Sequence, residues 1–165
     1  MDDAIALIEK SLDVRYDSGD VTAIERPHTT GWRVLPTLVT AQMSEGHSQI
    51  TLDGGSPVAI AEGDALVVGA GVLHRIDLRS PRGISRWSHL DVRAFGGAVD
   101  ALSLIEPPSR LSGATARRIG DLNQALAVLA KQPAGIAQAA QRKALGFEIF
   151  ALIAAASPAV PAALD

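Results

Sequence analysis

The chain has 165 residues and a formal net charge of −3 at pH 7. Hydrophobic residues make up 47% of it and charged residues 20%, which indicates one folded domain with a substantial core and excludes global disorder. The acidic balance argues against a nucleic-acid-binding surface, and the lack of cysteine in the sequence excludes disulfides and thiolate chemistry.

The two ends of the sequence give no sign of export or membrane insertion. The chain starts with Met1-Asp2-Asp3, which is acidic where a signal peptide would be basic. The longest apolar run near the C-terminus, residues 149–156, is too short to span a bilayer. We therefore expect a cytoplasmic protein with no membrane partner.

The chain opens with a predicted helix over residues 2–12, in which Ile5, Ile8 and Leu12 recur at helical spacing. From residue 13 to about 95 the pattern changes to short strands separated by Gly, Pro, Asp and Ser. A bent strand or a strand pair is predicted over residues 32–43. Further strands are predicted over residues 49–52, 58–61, 65–68, 74–78 and 85–94. Many short strands at this spacing predict an antiparallel barrel or sandwich.

Two helices are predicted after the strands, over residues 114–131 and 134–156, and they should pack antiparallel. The first carries a narrow apolar stripe at near-heptad spacing, made of Ile119, Leu122, Leu126 and Leu129. Such a stripe is typical of a seam between two helices, so it predicts a homodimer formed through these C-terminal helices. The alternative is that both helices cover the barrel of a monomer.

Residues 63–74, with the sequence GDALVVGAGVLH, are the most informative stretch of the chain. Their pattern is Gly, five residues, Gly69, one residue, Gly71, two residues and His74. It resembles the second motif of the cupin β-barrels, in which a proline stands at the position of Gly69. The resemblance implies a cupin-like antiparallel β-barrel, or jelly roll.

The order of further segments resembles the N-terminal sensing domain of AraC-type transcription regulators. The segments are the opening helix, the pair Gly31-Trp32, residues 44–54, the 63–74 motif, the RWSHL stretch at 86–90 and the two C-terminal helices. The resemblance implies a mainly β fold with a short N-terminal helix and two C-terminal helices. It divides the chain into an N-terminal helix (1–12), a ligand-sensing barrel (13–106), a helical dimerisation segment (107–158) and a linker (159–165).

The resemblance also implies a function. A small organic effector would bind in the barrel, and binding would be coupled to DNA binding by a C-terminal helix-turn-helix region that this chain does not contain. We expect the chain itself to bind no nucleic acid. Two other readings stay open, a small stand-alone cupin enzyme of isomerase or dioxygenase type and a stand-alone dimeric binding module.

The cupin resemblance implies a metal site in which two histidines and a carboxylate join His74. The corresponding region carries Arg33, Pro36 and Val39, none of which is a metal ligand. No nucleophile motif is present in the sequence either. We therefore expect no metal, no cofactor and no enzymatic activity.

The candidate ligand-binding residues are His74, Trp87, His89, Trp32 and Arg33. Trp87 and His89 share one strand face because alternate residues of a strand point the same way. For each residue a structural role is the alternative: His74 bonded to backbone, Trp87 as core filling, and Trp32 packing the N-terminal helix onto the barrel.

Overall fold

Two antiparallel sheets and three α-helices form residues 2–158, the part of the chain that the computed structural model describes. Met1 and the predicted linker 159–165 lie outside the described residues. The elements are α1 (Asp2–Ser11), β1 (Asp13–Ile24), β2 (His28–Thr29), β3 (Leu38–Glu45), β4 (Ser48–Leu52), β5 (Val58–Ile60), β6 (Ala65–Val68), β7 (His74–Leu78), β8 (Gly83–Ala94), β9 (Val99–Asp100), β10 (Arg110–Leu111), α2 (Gly113–Ala130) and α3 (Ile136–Ala155).

The sheets and helices are arranged in three layers. The first sheet, here the helix-side sheet, has the order β1-β8-β3-β6-β10, with β9 also paired to β8. The second sheet has the order β2-β7-β4-β5. One apolar cluster fills the space between the sheets, and another lies between the helix-side sheet and α2 and α3. This double-sheet antiparallel architecture confirms the predicted jelly-roll fold with one N-terminal and two C-terminal helices.

Strand β3 shows how the sequence produces this layering. Its residues alternate, so Val39, Ala41 and Met43 face the second sheet, whereas Leu38 and Thr40 face the helices. All five are buried because the strand is covered on both sides. The sequence alternates between apolar and polar residues from Val39 to Met43, and the polar residues Thr40 and Gln42 are buried as well because α2 covers their face.

Helices α2 and α3 form an antiparallel pair, as predicted. Arg118 in α2 bonds Glu148 in α3 over 2.7 Å, and at the other end Gln138 Nε2 donates to the carbonyl of Leu129. Gly146 lets α3 approach β1 closely, since a Cβ atom there would lie 2.7 Å from Val14 Cγ1. The pair therefore sits directly on the helix-side sheet.

The apolar stripe of α2 lies in the core of the single chain, which corrects the prediction that it forms a dimer seam. Ile119, Leu122, Leu126 and Leu129 are all buried. They pack in the cluster that includes Leu90 of the helix-side sheet. The helix-side sheet has a second apolar face, and the stripe of α2 packs against that face. These four side chains are not available to a second copy of the chain.

Two other differences concern the strands. The 12-residue strand β1 was not predicted, since its sequence DVRYDSGDVTAI is polar and contains a glycine. It is held by pairing with β8 along most of its length, with a bulge between Tyr16 and Ser18. Strand β10 pairs with β6 beyond residue 106, so the sheet extends past the predicted end of the barrel.

No helix within residues 2–158 is long and apolar enough to cross a membrane.

The burial of the stripe predicts the effect of truncating it. Leu126→Ala should lower the free energy of unfolding by about 2–5 kcal/mol because it leaves a cavity in the core. The matched control Val128→Ala, on the same helix at 54% exposure, should change it by less than about 0.5 kcal/mol. Urea unfolding measures both. A Leu126→Ala variant as stable as the wild type but altered in oligomeric state would restore the seam assignment.

Candidate functional site

A cavity of about 260 Å³ lies between the two sheets. Residues from β1, β3, β6 and β8 form one wall, and residues from β2, β4 and β7 form the other. The lining residues are Thr22, Ile24, His28, Thr30, Arg33, Val39, Ala41, Met43, Ser48, Leu66, Ile76, Leu78, Ser85, Trp87 and His89. Eight of these fifteen residues are apolar or aromatic, and the other seven carry a polar or charged group.

The strand register places Arg33 and Ser48 at opposite ends of the second sheet, with His28 at the Ser48 end and Thr30 between the two ends. His74 begins β7 and pairs with Leu52 at the end of β4, so the segment around Arg33 that pairs with His74 lies at one end of the second sheet. Ser48 begins β4 at the opposite end, next to His47. The backbone N–H of His47 donates to Ser80 Oγ after β7, which ties the two loops of that end together. We call these the basic end and the hydroxyl end.

Arg33 and His74 form the centre of the basic end. Their backbones exchange two hydrogen bonds, of 2.9 and 3.0 Å. The Arg33 Nε–H also donates to His74 Nε2 over 3.2 Å, while His74 Nδ1 lies 2.8 Å from the carbonyl of Val72. These contacts assign the Nδ1–H tautomer, in which Nδ1 donates to Val72 and Nε2 accepts from Arg33. His74 is 0% exposed and lies behind Arg33, outside the cavity wall.

Electrostatics keep His74 neutral. Burial lowers the pKa of its imidazole below the ordinary value, and the positive charge of Arg33 lowers it further, against the opposing effect of the bond to Val72. A protonated ring would lose its acceptor for Arg33. The neutral imidazole thus holds the guanidinium in one orientation without adding a competing charge.

Arg33 brings a cation to the cavity wall. Burial lowers the pKa of its guanidinium, which still remains charged at neutral pH. Among residues 2–158, no carboxylate lies within ion-pair distance of Arg33, and its side chain makes no hydrogen bond besides the one to His74. The terminal nitrogens of Arg33 are therefore free to meet a ligand.

Trp87 and His89 stand side by side on β8, and both line the cavity, as their shared strand face suggests. Their ring centroids are 5.0 Å apart. Trp87 Nε1 donates to Thr22 Oγ1 over 2.9 Å, and His89 Nδ1 lies 3.3 Å from Ser18 Oγ. Burial, followed by the charge of Arg33, lowers the pKa of His89. His89 and Arg33 therefore line the same cavity, and the positive charge of Arg33 disfavours protonation of His89.

Trp32 is not brought into the cavity. Its ring is 51% exposed, and the guanidinium carbon of Arg75 lies 5.6 Å from the ring centroid. The reason is alternation, because Arg33 points inward from the extended segment that pairs with His74, and its neighbour points outward. Trp32 therefore does not line the cavity, and its contact with a ligand stays a prediction.

Ser48 is a cavity residue that sequence reasoning missed. It is only 2% exposed, and its hydroxyl has no hydrogen-bond partner within the described chain. Buried polar groups are normally paired, so an unpaired hydroxyl in a cavity wall indicates a place for a ligand atom. The signal in the sequence was the alternation of Ser48, Ile50 and Leu52, which places Ser48 on the inward face of β4.

The residues around His74 do not fit a metal. Both ring nitrogens of His74 are engaged, Nε2 with the Nε–H of Arg33 and Nδ1 with the carbonyl of Val72. Within residues 2–158, no group of three His, Asp or Glu side chains could hold a metal ion. A guanidinium thus stands beside the motif histidine where the cupin resemblance implies metal ligands.

Comparisons with known proteins concern the fold. A scan against protein-family models finds no matching family, and a search of curated proteins finds no match. Among solved structures, the chain is similar to YhaK from Escherichia coli at 14% identity and TM-score 0.47, over 62% of this chain and 44% of YhaK. It is also similar to a cupin superfamily protein from Desulfitobacterium hafniense DCB-2 at 15% identity and TM-score 0.36, over 48% of this chain and 74% of that one.

A third similar structure is a conserved protein with a double-stranded β-helix domain from Klebsiella pneumoniae, at 19% identity and TM-score 0.36, over 54% of this chain and 71% of that chain. The structural neighbours thus include cupin-superfamily proteins. At these identities no activity or ligand follows from them for this chain.

The neutral state of His74 predicts a loss of stability in acid. The folded-state pKa of His74 lies below its unfolded value of about 6.5, so the unfolded state binds more protons at low pH. The contribution of the neutral ring to the free energy of unfolding should be fully present above the unfolded-state pKa. It should be lost as the pH drops through the folded-state pKa. Urea unfolding at pH 8 and pH 5 measures the difference.

His74→Gln should show a smaller difference between the two pH values than the wild type, since part of the titration is removed. It keeps a residual difference because the pKa of His89 is shifted in the same direction. His47→Gln, which removes an exposed histidine, is the matched control and should respond as the wild type does. Equal pH responses in the wild type and His74→Gln would contradict the assignment.

Proposed function

We propose that the chain is a small-molecule sensing domain, in which a small organic effector binds in the cavity and changes the packing of α2 and α3. The observation that carries the proposal is that β3 and β8 are shared walls. One face of these strands lines the cavity, and the other face packs against α2. No further layer separates a ligand in the cavity from the helices.

The chemistry of the cavity supports a ligand site. Small-molecule sites are usually concave, mainly apolar and provided with a few polar groups that fix orientation. The volume of about 260 Å³ lies just below the usual range of about 300–1,000 Å³, so it suits a small organic molecule. The polar groups at its two ends would orient such a molecule along the strands.

A buried polar cluster joins the shared strands to α2. The amide oxygen of Asn123 accepts from Ser88 Oγ over 2.6 Å, and its amide nitrogen donates to Thr40 Oγ1 over 3.1 Å. The same nitrogen donates to the carbonyl of Arg86 over 3.0 Å. Asn123 is fully buried, so these bonds cannot be replaced by water without opening the helix–sheet contact.

Each strand residue of this cluster has neighbours that face the cavity. Ser88 lies between Trp87 and His89, and Thr40 lies between Val39 and Ala41. A ligand that displaces the side chains of Trp87 or His89 moves the backbone that positions Ser88. The effect is a population shift, because a ligand that prefers one arrangement of the cluster biases the helices toward it.

The resemblance to AraC-type sensing domains supports the wider role. In this proposal the helices pass the signal to a DNA-binding helix-turn-helix region, and the chain acts as a homodimer without enzymatic activity or cofactor. Since Ile119, Leu122, Leu126 and Leu129 are buried in the chain, the contact between copies would use other residues of the helices.

Fluorescence of Trp87 tests binding in the cavity. In a Trp32→Phe background, Trp87 is the remaining tryptophan of the sequence. A screen of small organic compounds should find at least one that changes its emission, and Ala41→Leu should weaken that binding because it fills the cavity. Ala144→Leu, on an exposed position of α3, is the control and should bind normally.

The absence of any response, or an affinity that Ala41→Leu leaves unchanged, would contradict a ligand site between the sheets. Chemical conversion of the bound compound would instead favour the cupin-enzyme alternative.

Hydrogen exchange tests the coupling to α2. A compound that passes the cavity test should change amide protection in residues 113–130. Asn123→Leu should bind the compound but show a smaller change in α2, since the bonds to Ser88 and Thr40 are lost. The neighbouring Gln124→Leu, at an exposed position, should keep the full response. A response in Asn123→Leu equal to the wild type would contradict the role of this cluster.

A further inference from the structure

We propose, on the basis of the cavity function above, that the ligand is a small organic monocarboxylate whose carboxylate binds Arg33 and whose distal hydrogen-bonding group reaches Ser48. The proposal names the chemical class of the ligand and the polar contact at each end of the cavity. It depends on three observations: a cation without a partner, a mainly apolar middle and an unpaired hydroxyl.

The cation is the guanidinium of Arg33. Its Nε–H is used by His74, while its terminal nitrogens have no acceptor and no carboxylate nearby among the described residues. The lining of the cavity contains no Asp or Glu that could compete. A guanidinium held at Nε presents its terminal N–H groups in a fixed plane, which suits the two oxygens of a carboxylate.

His89 lies at the basic end but adds no donor there in its neutral form. Ser18 Oγ donates to Asp17 Oδ2, so His89 Nδ1 donates to Ser18 Oγ, and the other ring nitrogen is an acceptor without a partner among the described residues. The same strand places Trp87 beside it, with the rings 5.0 Å apart. The donors for a carboxylate at this end therefore come from Arg33, and the rings of Trp87 and His89 form an aromatic surface in the same lining.

The charge count favours one carboxylate over a phosphate or a dicarboxylate. Arg33 is the one residue in the lining that carries a permanent charge. Burial lowers the pKa of His89, so this ring does not supply a second full charge at neutral pH. A second carboxylate at the far end would meet Ser48, Ser85 and His28 but no permanently charged cation, and it would have to be desolvated without a permanent counter-charge.

The far end of the ligand is defined by Ser48. Its hydroxyl is buried without a partner, and the strand register places it at the opposite end from Arg33. Ser85 also lines the cavity and begins β8 near the same end. A hydroxyl or similar group on the ligand would satisfy Ser48, so a hydroxy acid should bind better than the acid alone.

Two sets of probes test the proposal by titration calorimetry. One set is 6-hydroxyhexanoate, hexanoate and 6-hydroxyhexanamide, and the other is 4-hydroxycyclohexanecarboxylate, cyclohexanecarboxylate and 4-hydroxycyclohexanecarboxamide. In at least one set, the hydroxy acid should bind tightest and the neutral amide at least about tenfold more weakly, because a hydrogen bond to a charged group is lost.

Variants assign the contacts. Arg33→Gln should weaken binding of the acids by about 10- to 100-fold and leave the amide within about threefold. Arg75→Gln, which replaces an arginine outside the cavity lining, should leave the affinities for both the acids and the amides unchanged. Ser48→Ala should remove the preference for the hydroxy acid over the plain acid. If Arg33→Gln fails to fold, the comparison of acid and amide binding to the wild type still tests whether the ligand needs a carboxylate.

Amides that bind as tightly as their acids, or acids that keep their affinity in Arg33→Gln, would overturn this inference and leave the sensing function standing. A failure of all six compounds to bind would also overturn it. The sensing function fails separately, when no compound of the wider screen is sensitive to Ala41→Leu.

Discussion

The structure depends on strands β3 and β8, which border the cavity with one face and pack against the helices with the other. Their inward residues, such as Ala41 and Trp87, border the cavity, and their outward residues, such as Leu38 and Leu90, form the core with α2 and α3. Because side chains alternate along a strand, neither face can be repacked without displacing the backbone that carries the other. In the proposed function, stability and ligand binding would therefore use the same two strands, and coupling to the helices would follow from this shared use.

At the basic end, His74 has a structural role in positioning Arg33. His74 belongs to a turn motif that resembles a cupin metal site, yet its ring is neutral, buried and bonded on both nitrogens. It acts as a support for Arg33, which brings the only permanent charge into the lining. An organic cation fixed in this way can bind an anion without a metal, and the apolar walls around it strengthen the interaction by excluding water.

Much of the fold was predictable from sequence, and less of the site was. Strands 65–68 and 74–78 were predicted with correct bounds, the first because Gly63 and Gly69 flank it and the second because the 63–74 motif ends at His74. The three helices were placed within about two residues of their ends. Strand β1 was missed because it is polar and depends on pairing with β8. Trp87, His89 and Arg33 were identified, but the position of His74 behind Arg33, the exposure of Trp32 and the unpaired hydroxyl of Ser48 depend on contacts between distant strands. The stripe of α2 was misread for the same reason, since the sequence does not show that the sheet has a second apolar face.

The central claim is that a ligand between the sheets changes the contact between Asn123 and the shared strands. The most direct measurement is the NMR signal of the Asn123 side-chain amide during titration with a compound that Ala41→Leu excludes. The account predicts that this signal shifts in step with the signals of Trp87 and His89, and that the backbone amides of α2 shift with it. Saturation of the cavity signals with no change at Asn123 or in α2 would contradict the account.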